Sequence, residues 1–180
     1  AGKKTTVVGY IGNLRHYQGV DLFIDAATKV ARLRNDFGFV VIGDGPLKQD
    51  IATRLQTENM ESDFWMQDSI PHESIPHYLN ACDVLVVPRP ESLTAKFGFP
   101  SKLPEYMSMG KAVISTDVGD AALFIETGSN GILVRPSSTS DLEEAFISVS
   151  DADLRTRLGT AARQSIVSKH TWKHRGQQVT

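Results

Sequence analysis

With 180 residues, 41% of them hydrophobic and 22% charged, the chain is long enough for one substantial core and too short for two ordinary domains. A formal net charge of -2 supplies no general field for nucleic acid or anionic lipid, so no nucleic-acid partner is expected, while local basic pockets for a small anion stay open. The single cysteine, Cys82, excludes an internal disulfide and reads as a packed thiol.

Short β-rich runs alternate with helical patterns, the arrangement of a parallel sheet with helices on its faces. The first strand is expected at Val7 to Gly12, followed by a helix from Val20 to about Arg34. On that helix Leu22, Phe23, Ala26, Ala27, Val30 and Leu33 recur at helical spacing and predict one apolar face. Phe39 to Ile42 is the second strand. It runs into Gly43-Asp44-Gly45-Pro46, and the next helix is expected to begin near Pro46, since proline suits a first helical turn.

Phe64 to Met66 reads as a third strand, Ser74 to Ala81 as a short helix and Val84 to Val87 as the fourth strand. Pro88 to Pro100 is the least regular connection. Beyond it come a helix from Ser101 to Met109, a strand at Val113 to Ser115, a short helix from Ala121 to Glu126 and a sixth strand at Ile132 to Val134. Helices over Ser140 to Ser150 and Asp153 to Lys169 close the unit. The expected fold class is therefore α/β, a parallel sheet of about six strands covered by helices on both faces.

The longest strongly apolar stretches run five to seven residues, short of the about 20 that a membrane span requires. Ala1 to Val7 lacks the pattern of a secretory signal. A cytoplasmic location is the default expectation, with membrane association of a longer parent left open. His72 and His77 flank a short helix, whereas His16, His170 and His174 lie in distant segments. With Cys82 they form no zinc-ligand spacing, and neither a metal nor another cofactor is expected.

The irregular chemistry falls in three segments, 12–19, 43–46 and 88–101, each after an expected strand. They converge at the carboxyl edge of the sheet, where open α/β folds bind ligands. Gly12 and Gly19 bracket a polar loop that serves either as an ordinary turn or as a close backbone approach to a ligand. Gly43 and Gly45 can place backbone donors beside a ligand while Asp44, a poor anion ligand, belongs to the turn. Ser101 is a plausible helix cap, and Phe97 reads as packing beneath the loop. Tyr106, Met107 and Met109 read as helix packing, with room for one of them to line a pocket.

Gly12-Asn13-Leu14 through Gln18-Gly19, then Gly43-Asp44-Gly45-Pro46, then Pro100-Ser101-Lys102-Leu103-Pro104-Glu105-Tyr106-Met107-Ser108-Met109-Gly110-Lys111-Ala112-Val113 resemble the ordered motifs of family 4 (group 1) glycosyltransferases. The likeness extends over about residues 7 to 172 and includes Asn130-Gly131-Ile132-Leu133-Val134. It implies the Rossmann-like, carboxyl-terminal donor-binding half of a two-domain GT-B enzyme, whose amino-terminal acceptor domain lies outside residues 1–180. Enzymes of this family transfer a sugar from an activated donor to an acceptor hydroxyl, with retention of anomeric configuration and without a bound metal. The implied ligand is a UDP- or GDP-sugar, and a glycan or lipid-linked acceptor belongs to the full-length protein.

The resemblance also marks departures. A family arginine and lysine that hold the donor diphosphate fall on Asn13 and Gln18, which donate hydrogen bonds but carry no charge. Lys102, with Arg89 behind it, is the compensating cation expected to bind the diphosphate; a solvated lysine and a locally paired arginine are the plainer alternatives. The family's two glutamates have seven residues between them, which places the second on Glu105 and the first on Phe97. Glu105 is the expected ribose ligand, because an ionised carboxylate accepts two hydroxyl hydrogen bonds.

No catalytic acid or nucleophile is assigned, since Phe97 cannot do carboxylate chemistry; contact with an apolar sugar surface is the alternative to its packing beneath the loop. Gly98 can admit the transferred sugar, and Ser101, Leu103, Gly12, Asn13, Gln18, Gly43 and Gly45 complete the expected donor-binding set. A non-catalytic nucleotide-sugar-binding or regulatory module is the alternative. His170-Thr171-Trp172 resembles the closing aromatic anchor of the family, with Trp172 read as packing.

Overall fold

The computed structural model describes residues 4–170. Trp172, read as packing from the sequence, and His174 lie outside the described residues. Within them a single sheet runs in the order β3-β2-β1-β4-β5-β6, every neighbouring pair parallel. The strands are β1 (Thr6–Ile11), β2 (Phe37–Ile42), β3 (Phe64–Gln67), β4 (Val84–Val87), β5 (Ala112–Thr116) and β6 (Ile132–Val134). The helices are α1 (Val20–Leu33), α2 (Lys48–Thr57), α3 (Ile75–Ala81), α4 (Leu93–Phe97), α5 (Lys102–Ser108), α6 (Ala121–Phe124), α7 (Thr139–Ser148) and α8 (Ala152–Lys169).

Alternation of side chains along the strands divides the core between the two faces of the sheet. Val84 and Val86 of β4 join Val8, Tyr10, Phe39 and Ile114 under α1 and α7, whereas Leu85 and Val87 join Ile11 and Val113 under α3, α5 and α8. The first face is aromatic: Phe23 of α1 lies 5.8 Å from Tyr10, 6.1 Å from Phe39 and 5.8 Å from Phe146, centroid to centroid. On the second face the Tyr106 hydroxyl of α5 donates to the Ile11 carbonyl at 2.8 Å, tying that helix to the end of β1. Cys82 is buried there, and burial pushes its thiol up to about 11, as expected of a packed, inert cysteine.

Three local expectations need correction. The helix expected from Pro46 starts at Lys48; Pro46 lies in the preceding turn, where Leu47 N–H donates to the Leu14 carbonyl and Lys48 N–H to the Gly45 carbonyl. The irregular 88–100 segment contains α4, capped by Ser92 Oγ accepting from Ala95 N–H at 3.1 Å. Its periodicity was invisible because one residue of the five, Ala95, is buried. Leu33, placed on the apolar face of α1, is 71% exposed, since the helix ends there and Arg34 has already turned to extended backbone.

The chain visits β1, β2 and β3 on one side and then returns across β1 to begin β4. The carboxyl ends of β1 and β4 therefore flank the switch point, the place where loops diverge and leave a crevice. In urea unfolding, Phe23→Ala is expected to lose about 3–5 kcal/mol of stability, whereas Leu33→Ala stays within about 0.5 kcal/mol. Equal losses would contradict this assignment of the α1 core face.

Candidate functional site at the switch point

The loop after β1 is shaped by its contact with the loop after β4. Gly19 has φ 75°, a left-handed conformation that glycine adopts at no steric cost. A side chain there would also collide with the Pro88 carbonyl. The single 3₁₀ turn at His16–Gln18 ends on this glycine, which donates its N–H to the His16 carbonyl at 2.9 Å. Gln18 is thereby set at the mouth of the crevice, half-buried.

Opposite it stands Lys102, at the start of α5. Its Nζ donates to Gln18 Oε1 at 3.3 Å and sits 5.4 Å from the Tyr10 ring centroid. The ammonium occupies the space over Gly12, where any side chain would meet it. Desolvation by burial lowers the Lys102 pKa to about 8, offset by the charge of Glu105 and reinforced by that of Arg89. Tyr10 completes the group: its hydroxyl donates to the Asn13 carbonyl at 2.6 Å, and burial, with Asp21 and Tyr17 nearby, pushes its pKa up.

Tyr10 was missed in the sequence, where it reads as an ordinary strand aromatic. The available signal was its place at the carboxyl end of a strand, where a buried tyrosine needs a partner for its hydroxyl.

Glu105 lies one turn along α5 from Lys102, exposed, with no hydrogen bond or ion pair to its carboxylate among the described residues. Asn13 is also exposed. Gln18 and Lys102 thus face each other over Gly12, with Glu105 one turn further along α5.

Other expected ligand residues are committed to the scaffold. Arg89 makes no salt bridge among the described residues; it is buried, donating from Nη1 to the Gly98 carbonyl at 2.7 Å and from Nη2 to the Thr94 carbonyl at 3.1 Å. Burial lowers its pKa, and its fork closes the end of α4. Leu103 is fully buried among Val87, Tyr106 and Met107, so its side chain packs in the core instead of meeting a ligand. Tyr106 and Met107 are buried with it.

Gly43 N–H donates to the Gln67 carbonyl at 3.0 Å, and Gly45 N–H to Asp44 Oδ1 at 2.8 Å. These two amides are therefore spent within the protein; both glycines let 43–46 press against the Gly12–Leu14 backbone. Ser101 has helical torsions and makes no side-chain cap. The Phe97 ring, expected to pack beneath the loop, is 81% exposed, because α4 turns only Ala95 inward.

Residues 5–151 match the model of the family described as glycosyl transferases group 1. The chain belongs to this family. It is 27% identical over 174 residues to the α-D-kanosaminyltransferase of Streptomyces kanamyceticus, covering 96% of this chain and 44% of that protein. It is 28% identical over 169 residues to the 2-deoxystreptamine N-acetyl-D-glucosaminyltransferase of Niallia circulans, covering 93% of this chain and 42% of that protein. The chain thus spans under half the length of these relatives.

The fold recurs in solved structures. The carboxyl-terminal domain of LpcC from Francisella tularensis superposes with a TM-score of 0.80 at 24% identity, covering 94% of this chain and 88% of that one. HepE of Anabaena in complex with UDP-glucose superposes at 0.79 and 23% identity, covering 96% of this chain and 47% of HepE. The six-stranded Rossmann-like sheet expected from the sequence, as the carboxyl-terminal half of the GT-B architecture, is the fold observed.

Among the described residues, no three His, Cys, Asp or Glu side chains gather to hold a metal, and no helix is long and apolar enough to cross a membrane. Arg89→Ala removes two charge-assisted hydrogen bonds, to the Gly98 and Thr94 carbonyls, each worth about 1.5–3 kcal/mol. The expected outcome is a clear loss of stability in urea, with faster proteolytic cutting between residues 93 and 98; unchanged cutting would contradict the bracing role.

Proposed function

We propose that this domain binds a nucleoside-diphosphate sugar at the β1/β4 switch point and serves, in a longer parent protein, as the donor half of a retaining glycosyltransferase. The observation that carries the proposal is the juxtaposition of a desolvated ammonium, Lys102, with the unpaired carboxylate of Glu105 on one turn of α5. The ammonium suits a diphosphate, and the carboxylate suits a pair of ribose hydroxyls. Membership of the family, together with the UDP-glucose held by HepE, a protein of the same fold, supports this class of ligand.

In the proposed reaction the bond from the anomeric carbon to the diphosphate oxygen breaks as the acceptor oxygen bonds to the same face of that carbon, and the hydroxyl proton passes to the departing diphosphate. Lys102 stabilises the negative charge that grows on the departing diphosphate, a contribution that increases toward the transition state. Gly98, at the end of α4, faces the transferred sugar in this reading, and Asn13 contributes a neutral hydrogen bond beside the phosphates. An amino-terminal acceptor domain brings the glycan or lipid-linked acceptor across the cleft and excludes competing water. This location of the acceptor site predicts no turnover by residues 1–180 alone.

A non-catalytic nucleotide-sugar module remains the second reading, favoured by one observation: the position where the family resemblance expects an acid carries Phe97, 81% exposed. Transfer by the complete parent protein separates the two readings. Calorimetry with matched UDP- and GDP-sugars tests the binding step. Wild type is expected to select one base, and Glu105→Ala to weaken it about tenfold or more through loss of charge-assisted hydrogen bonds. Folded wild type that binds neither sugar would overturn the proposal.

A further inference from the structure

A second hollow opens at the carboxyl edge, on the far side of β4 from the β1/β4 crevice. It lies where the loops after β4, β5 and β6 meet and encloses about 360 Å³, with Glu91, Leu93, Lys96, Asp117, Val118 and Pro136 among its walls. The three loops are fastened to one another around it. Gly119 has a left-handed φ of 61°, and a side chain there would crowd the Ala95 and Lys96 carbonyls, so the loop after β5 presses on α4. Thr116 Oγ1 donates to the Arg89 carbonyl at 2.6 Å, and Ser137 Oγ, after β6, accepts from Glu91 N–H at 3.4 Å. Ser92, also in the wall, is spent as the cap of α4.

The charged side chains take no part in this fastening. Those of Glu91, Lys96 and Asp117 make no hydrogen bond or salt bridge among the described residues. A carboxylate only accepts and an ammonium only donates, so together they suit a ligand that gives and takes hydrogen bonds through several small groups. Leu93, Val118 and Pro136 add apolar surface beside them. A saturated ring with hydroxyls on its rim and C–H groups on its face matches that mixture. The volume is near the lower end for small-molecule sites and suits one ring better than a nucleotide. Charge disfavours an anion: two carboxylates face one ammonium, and Asp120, before α6, adds a third negative charge close by.

Resting on the donor-site reading, we propose that this hollow is an acceptor subsite, which holds a hydroxyl-rich ring of the acceptor and favours one that carries a protonated amine. α4 is the wall between the two sites. Its first turn lines the hollow, it contacts the His16–Gln18 turn of the crevice, and it ends at Gly98, the position assigned above to the transferred sugar. A ring seated in the hollow is therefore separated from the transferred sugar by one short helix. Glu91 and Asp117 select the acceptor by its hydroxyl pattern and charge, and the amino-terminal half supplies the remaining acceptor contacts.

The test follows the methyl signals of Leu93 and Val118 by NMR in the full chain. The probes are methyl α-D-glucoside, D-glucuronate and D-glucosamine, the last buffered below neutrality so that its amine is protonated, each at up to about 50 mM, well above a millimolar Kd. Glucosamine is expected to shift both methyls saturably, the glucoside to bind about threefold to tenfold more weakly, and glucuronate to leave them unmoved. Asp117→Asn and Glu91→Gln change exposed side chains without changing their shape. Each is expected to weaken glucosamine about fivefold to tenfold and to narrow its lead over the glucoside. A merely structural role for these carboxylates would leave that ratio unchanged.

Methyls that no probe shifts, glucuronate binding as tightly as glucosamine, or shifts indifferent to both substitutions overturn the subsite. Saturable shifts at Gly12 and Glu105 in place of Leu93 and Val118 also overturn it. Calorimetry with UDP-glucose and GDP-mannose keeps the two readings apart, since Asp117→Asn is expected to leave donor affinity within about twofold of wild type. If a donor sugar binds while the methyls stay still, the subsite alone falls. If the ring probes bind but neither donor sugar does, the donor-site reading falls and the acceptor role with it.

Discussion

The contact between the loop after β1 and the loop after β4 governs the rest of the carboxyl edge. Gly19 takes a left-handed turn against the Pro88 carbonyl, and the Tyr106 hydroxyl reaches the Ile11 carbonyl from α5. These two contacts bring the start of α5 over the end of β1, so Lys102 covers Gly12 and meets Gln18. Parallel strands that diverge at the switch point provide the crevice; the two anchors decide which side chains enter it. A bulkier residue at position 19 would separate the loops and with them the charge from its support.

Electrostatics follows from that geometry. Arg89 carries a full charge close by, but its hydrogen-bonding fork is committed to the carbonyls of Thr94 and Gly98. Its remaining influence is at a distance, where it disfavours the protonated form of Lys102. The crevice therefore combines a braced arginine with a lysine ammonium that has donors to spare. Glu105 opposes Arg89 by favouring the charged lysine, while its own side chain is exposed.

The fold was legible because parallel strands buried on both faces are short continuous apolar runs, such as Val84 to Val87, and because α1 repeats its apolar residues at helical spacing. Glu105 and Lys102 were legible as candidate site residues because they stand on a recognisable loop-helix after a strand. Burial at the edges was not. Leu103 and Phe97 occupy the same segment with opposite fates, one fully buried and the other 81% exposed, and nothing in their local spacing separates them. Arg89 looked like a cation for a ligand because sequence carries no record of carbonyls folding back on it. Tyr10 was hidden for the converse reason, since its role arises from α5, far along the chain.

The direct measurement is a crystal structure of this domain with the nucleotide sugar that calorimetry selects. The account predicts the diphosphate within hydrogen-bond distance of Lys102 Nζ and Gln18 Nε2, with ribose hydroxyls on the Glu105 carboxylate. A diphosphate bound at the switch point without contact to Lys102, or a nucleotide seated away from α5, would contradict it.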